Sequence, residues 1–226
     1  MFFGEVKTES SLGGILSSSI EVYKDKKKLK ISKGTVINKN LVDLFLLNNI
    51  KHVICAKLDN DEVEENTAVF MISKEIIASK NSFIKIQDPK NGRCNLVSIV
   101  DGIIEFQPNQ LYSINSITDD VGVASLKPFS KVKKNQIIAS IKAIPFGIKI
   151  KHLQNIVNIS QDCFKILPFQ KKNIHLIQTT NQNTREKILD KTLEVTKDRL
   201  SSCGINQITE KKCSHEIKSI CLELNE

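Results

Sequence analysis

The sequence predicts an α+β N-terminal region that contains a β-rich unit, followed by the start of an α/β domain with a mostly parallel sheet. Three observations predict this. Strand-like and helical patterns alternate over residues 1–81, short strands separated by turn residues fill residues 82–168, and a regular strand–helix–strand–helix order begins at Ile174. At 226 residues the chain is long enough for one large domain or two modest ones. Its 40% apolar and 26% charged content is ordinary for a globular protein.

The elements follow in order. "GILSSSIEVY" and "KLKISKGTVI" read as strands around a solvated lysine turn at Tyr23 to Lys30, with Gly34 as a bend residue. "NKNLVDLFLLNN" is a short helix that Asn38 or Asn40 can cap, with Leu41, Leu44 and Phe45 on one face. "IKHVICAKL" is a buried strand. "DNDEVEENTAVFMISKEIIASK" is a helix whose acidic start and lysine-bearing end complement its dipole. Val63, Thr67, Phe70, Met71 and Ile77 form its expected apolar stripe.

From residue 82 the strands are "FIKIQ", "CNLVSIV", "GIIEF", "VGVASL" and "QIIASIKAI", with turns at Asp88-Pro89, Asn91-Gly92 and Asp101-Gly102. A short helix at Asn109 to Asn115 interrupts them. The "VKKNQIIASIK" segment predicts a small barrel or a hammerhead-like unit. "IKHLQNIVNIS" is a further helix, and "DCFKILPFQKKN", with Pro168, is the expected linker into residues 169–226.

In that last part "IHLIQT" and "INQITEKKC" are strands, "TREKILDKTLEVTKDRLSSC" and "HEIKSICLELNE" are helices, and Gly204 sits at a C-terminal cap. Two parallel strands and two helices leave apolar faces uncovered, so a three-layer domain that the chain carries only in part is expected. The apolar strand ends in "TTNQNT", which puts Thr179 and Thr180 at its carboxyl end, where open α/β sheets bind ligands. Asp190 reads as buried near the start of the following helix. By spacing alone, a simpler role is favoured: Asn183 or Thr184 caps the helix and Asp190 complements its dipole.

Composition narrows the function classes. No run approaches the roughly 18 apolar residues of a membrane span, and "MFFGEVKTESSLGG" has no basic leader before an apolar block, so a cytoplasmic protein is expected. The six cysteines are scattered, which favours reduced, buried thiols. A zinc set would need Cys213, His215 and Cys221, without a CxxC pair. The net charge of +8 suggests a lysine-rich nucleic-acid binder, but the arginines that recognise bases and phosphates number only three, Arg93, Arg185 and Arg199. No Ser/His/Asp or Cys/His arrangement can be assigned.

Three ordered stretches carry a resemblance. "GRCNLVSIVDG", "ASLKPFSKVKKNQIIASIKAIPFGI" and "HLIQTTNQNTREKILDKTLEVTKDRLSSCG" resemble segments of the bacterial molybdopterin-binding proteins, similar to the enzymes that insert molybdenum into the pterin cofactor. "KISKGTVINKNLVDLFLLNNIKHVICAKLDNDEVEENTA" matches in layout. Asn135 departs from the family by standing where a glycine is usual, in a left-handed turn that asparagine tolerates. The family's later acidic and Gly-Pro-rich loops are not in this sequence. The resemblance implies molybdopterin as ligand, with Thr179, Thr180, Asp190 and Lys191 as binding residues, and Mg2+ or molybdate in the complete protein. It implies other molybdenum cofactor proteins, or further copies of the chain, as partners. It assigns no catalytic residue here. A non-enzymatic module that docks cofactor enzymes is the alternative. Arg93, Asn95, Lys142 and Pro145 carry family motifs without an evident chemical role, a surface ion pair being the simplest one for Arg93.

Overall fold

A computed structural model describes residues 1–77, 83–170 and 172–225. The expected helix end at Ala78 to Lys80, the 81/82 division and Lys171 of the expected linker lie outside the described residues. The chain divides into two compact units, Met1–Val100 with Ile104–Ile166, and Asp101–Ile103 with Leu167–Glu226.

The first unit opens with β1 (Phe2–Lys7), β2 (Ile15–Leu16), β3 (Ile20–Lys24), β4 (Lys27–Ile31), α1 (Lys39–Leu47) and β5 (His52–Lys57). β5 lies between β1 and β2, antiparallel to both. The lysine turn is the β3–β4 hairpin, closed by Asp25 and Lys26 at φ 49° and 63°. Asn38 caps α1, its side chain accepting the Leu41 N–H at 3.0 Å. Phe45 is fully buried against Leu16, Val22, Ile37, Val53 and Cys55, with Leu41 and Leu44 packed alongside.

β6 (Glu62–Glu64), α2 (Glu65–Glu75), β7 (Ile84–Ile86), β8 (Arg93–Ser98), β9 (Gly102–Glu105), α3 (Pro108–Asn115) and β10 (Val121–Ser125) come next. β11 (Lys131–Val132), β12 (Ile137–Ala143), β13 (Gly147–Lys149), α4 (Ile150–Ser160) and β14 (Lys165–Pro168) follow. The main sheet is antiparallel in the order β10-β12-β8-β7. Alternation sends Cys94, Leu96, Ala139, Ile141, Val121 and Val123 into one core with Ala68, Val69 and Ile72 of α2, Ile114 of α3, and Leu153 and Ile156 of α4. Helices therefore cover the apolar face, and among the described residues no strand closes a barrel, contrary to the expected small barrel.

Two further expectations change. The buried stripe of α2 is Ala68, Val69, Ile72 and Ser73, whereas Thr67 and Met71 are exposed. The helix begins only at Glu65, after β6 has paired with β13, so its phase differs from one counted from Val63. The expected linker carries β14, and its Cys163, Phe164 and Ile166 belong to the core. Pro168 and the lysines around it mark a loop by composition, but the apolar Cys163, Phe164 and Ile166 pack inward.

The second unit contains β15 (Ile174–Thr180), α5 (Glu186–Ser201), β16 (Ile208–Ser214) and α6 (Ile217–Asn225). β15 and β16 are parallel, in register from Ile174↔Ile208 to Thr180↔Ser214. Gly204, at φ 77°, ends the helix turn as expected. The chain is thus α+β, with six α-helices and small, mostly antiparallel sheets among the described residues. Among the described residues no helix is long and apolar enough to cross a membrane.

Candidate functional site

The parallel register decides which polar residues meet at the end of β15. Thr179 lies opposite Cys213 and Thr180 opposite Ser214, so the loop after each strand leaves from the same edge. Thr179 Oγ1 is 2.9 Å from His215 Nδ1, and Thr180 Oγ1 donates to the Cys213 carbonyl at 3.2 Å. The His215 N–H donates to the Thr180 carbonyl at 2.9 Å, tying the two loops together. Ser214 Oγ and Ser219 Oγ share a hydrogen bond of 2.7 Å. Both threonines are half-buried, while Ser214 and His215 are exposed.

The loop into α5 is closed on itself. The Asn181 N–H donates to Thr184 Oγ1 at 2.9 Å, Thr184 Oγ1 donates to Asn181 Oδ1 at 2.9 Å, and the Asn183 N–H donates to the same oxygen at 3.0 Å. Thr184 is therefore spent within the loop, and neither it nor Asn183 caps the helix. The capping position is Arg185, which offers no side-chain cap to the first turn. First-turn amides without a side-chain cap at the carboxyl edge of parallel strands are suited to an anion.

Below this edge Gln178 is buried, 6% exposed. Its Nε2 donates to the Leu189 carbonyl at 3.0 Å and to Glu210 Oε1 at 2.7 Å, linking β15, α5 and β16. Leu189, not Asp190, is the buried residue of α5; Asp190 is exposed, which corrects the expectation of a buried aspartate. A helix rotates about 100° per residue, so Leu189 on the strands leaves Asp190 turned toward solvent. Lys191 lines a groove along α5 with Arg185, Ile188, Thr192 and Val195. The structure thus joins Thr179 and Thr180 to His215 and Ser214, and places Lys191 among other residues of its own helix.

No known family model matches this chain. Neither a curated protein nor a solved structure matches it at a significant level. The site accordingly stands on its own chemistry: hydroxyls, an imidazole and helix-start amides can both donate and accept toward a heteroaromatic edge, and the amides can hold an anion. Among the described residues no group of three or more His, Cys, Asp and Glu side chains is gathered to hold a metal ion. The Mg2+ implied by the resemblance has no such ligand set among the described residues.

The sequence alone offers His215 only as a member of a zinc set, and it singles out neither Ser214 nor Gln178. The available signal was the parallel pairing itself. Once "IHLIQTT" is aligned with "ITEKKCS", the serine and histidine that follow fall beside the two threonines.

Proposed function

We propose that this chain binds molybdopterin or a derivative of it, in molybdenum cofactor biosynthesis or hand-over, at the carboxyl end of β15 and β16. The segment from β15 to α6 is part of a mostly parallel α/β domain of the pterin-binding type. The observation that carries the reading is the pairing of Thr179 and Thr180 with His215 beside the uncapped start of α5. A pterin presents a mixed donor–acceptor edge, which the hydroxyls and imidazole can match, and its phosphate suits the amides of the first turn. The three ordered stretches that resemble molybdopterin-binding proteins support the same ligand. The chain's own residues bind and orient it; no bond-making step is assigned to them. Partners in this reading are other molybdenum cofactor proteins or further copies of the chain, in the cytoplasm.

Anaerobic calorimetric titration of molybdopterin into the chain tests this. Weak but saturable binding is expected, with Thr180→Val weakening it by about two- to twelvefold, as one neutral hydrogen bond of ~0.5–1.5 kcal/mol would. Asp190→Ala is expected to change the affinity by less than about threefold and to leave stability unchanged, because Asp190 is exposed and turned away from the strands. No detectable binding by the unmodified chain refutes the proposal.

A further inference from the structure

The first unit holds a second cluster of chemistry-bearing groups. The tight turn between Lys90 and Arg93 is built on Asn91 and Gly92, at φ 51° and 66°. The Gly92 N–H donates to Asn66 Oδ1 at 2.9 Å, which holds the turn against the start of α2. Glu65 stands there, 3% exposed, and its Oε1 is buried without a hydrogen-bond partner. A Cβ placed on Gly92 would lie 2.5 Å from Glu65 Oε2 and 2.9 Å from Lys142 Nζ, so a carboxyl and an ammonium converge over one bare backbone position. Lys142 Nζ donates to the Asn91 carbonyl at 2.7 Å, leaving donors to spare.

The sheet register adds a second cation. Lys142 is directly opposite Arg93 across β12 and β8, and opposite Gly122 across β12 and β10. Alternation places these residues on the face away from the core, with Ser140 and Asn95 two positions along. Arg93 is exposed, and a surface depression opens beside its side chain and that of Lys142. Lys33 contributes a third positive charge. Burial first, then Lys33 and Arg93, lowers the Lys142 pKa against the pull of Glu65. Burial raises the Glu65 carboxyl despite Lys142 and Lys33. The depression beside the two cations has a volume of about 580 Å³, and Arg93, Lys142, Ser140, Asn115, Thr118 and Asp119 are among the residues lining it.

We propose that this cluster binds a small phosphomonoester, its phosphate held between Arg93 and Lys142 and its hydroxylated body lying along Ser140, Thr118 and Asp119. Arginine's planar fork and lysine's mobile ammonium are complementary donors for a tetrahedral dianion. Glu65 converges with Lys142 at the Gly92 turn, where its Oε1 is buried without a partner. The depression is lined by Val121, Val123, Ala124 and Ile144 as well as by polar residues, so a small hydroxylated body meets apolar contacts beside Ser140, Thr118 and Asp119. The proposal does not rest on the reading of the β15–β16 edge.

The test is calorimetric titration of the full chain with inorganic phosphate and with ribose 5-phosphate, each alone. Both are expected to bind one per chain, the sugar phosphate more tightly. Arg93→Met, at an exposed position where folding is not at stake, is expected to weaken both by at least about tenfold. Lys142→Met is expected to do the same, whereas Thr180→Val, in the second unit, changes neither. Absence of binding by the unmodified chain at millimolar ligand overturns the proposal, as does unaltered affinity in Arg93→Met. Tighter binding of a single-stranded oligonucleotide, with steep salt dependence, also overturns it, because the cluster would then be reading backbone charge.

Discussion

Gly92→Ala offers a quantitative check on the convergence of Glu65 and Lys142. Gly92 has φ 66°, a left-handed conformation that costs an L-residue with a side chain about 1–2 kcal/mol. The new methyl would also stand 2.5 Å from Glu65 Oε2 and 3.0 Å from its Cδ. Lys142 Nζ is the free end of a long chain and can swing aside. Glu65 is 3% exposed and cannot turn without leaving its rotamer, which costs roughly 0.5–1.5 kcal/mol more. The expected loss is therefore about 1.5–3.5 kcal/mol. Urea unfolding followed by the near-ultraviolet tyrosine signal reads this unit selectively, because the chain has no tryptophan and its two tyrosines, Tyr23 and Tyr112, both lie in it. In a Glu65→Ala background the steric part should vanish and only the backbone cost of about 1–2 kcal/mol remain. Equal losses in the two backgrounds, or a loss under about 0.5 kcal/mol in the unmodified one, would refute the geometry.

Other outcomes follow from single contacts. Asn115 Nδ2 donates to the Val123 carbonyl at 2.9 Å while its Oδ1 accepts the Val123 N–H at 2.8 Å, so Asn115→Ala should cost about 1–3 kcal/mol by freeing edge strand β10, measured by the same unfolding signal. Gln178→Ala removes the bonds to Leu189 and Glu210, and should accelerate hydrogen exchange of β15 amides by about ten- to a hundredfold through the loss of ~1.5–3 kcal/mol. Glu65 makes a signed pH prediction. Its carboxyl is held above the ordinary 4.5 mainly by burial, with Lys142, Glu64 and Lys33 as the charges around it. Its contribution to stability is full below that value and is lost as pH rises through the folded pKa. Thermal unfolding of Glu65→Gln should therefore gain on the unmodified chain as pH rises from below 4.5; a pH-independent difference would contradict this.

Local signals made much of the fold legible. The cap at Asn38, the lysine hairpin, the Asn91-Gly92 turn and the left-handed Asn135, at φ 68°, all depend on residues close in sequence. What escaped reading depends on tertiary partners. The α2 stripe was misphased because β6 pairs with β13, some eighty residues on, before the helix starts. β14 was hidden by Pro168 and nearby lysines, although Phe164 and Ile166 are core residues. At the candidate site the two threonines were visible as the polar end of an apolar strand, but His215 became a neighbour only through the parallel register. Asp190 was misjudged by one helical position, since Leu189 takes the buried place. Glu65 in the first turn of α2 is explained by the helix dipole at the level of sequence, and only the fold buries it.

The most direct test of the central claim is hydrogen exchange of the whole chain with and without molybdopterin. Ligand protection is expected at the amides of Thr180 to Ile188 and of His215 to Ile217, the loops and helix starts that follow β15 and β16. Protection confined to the first unit, or none at saturating ligand, would contradict the account.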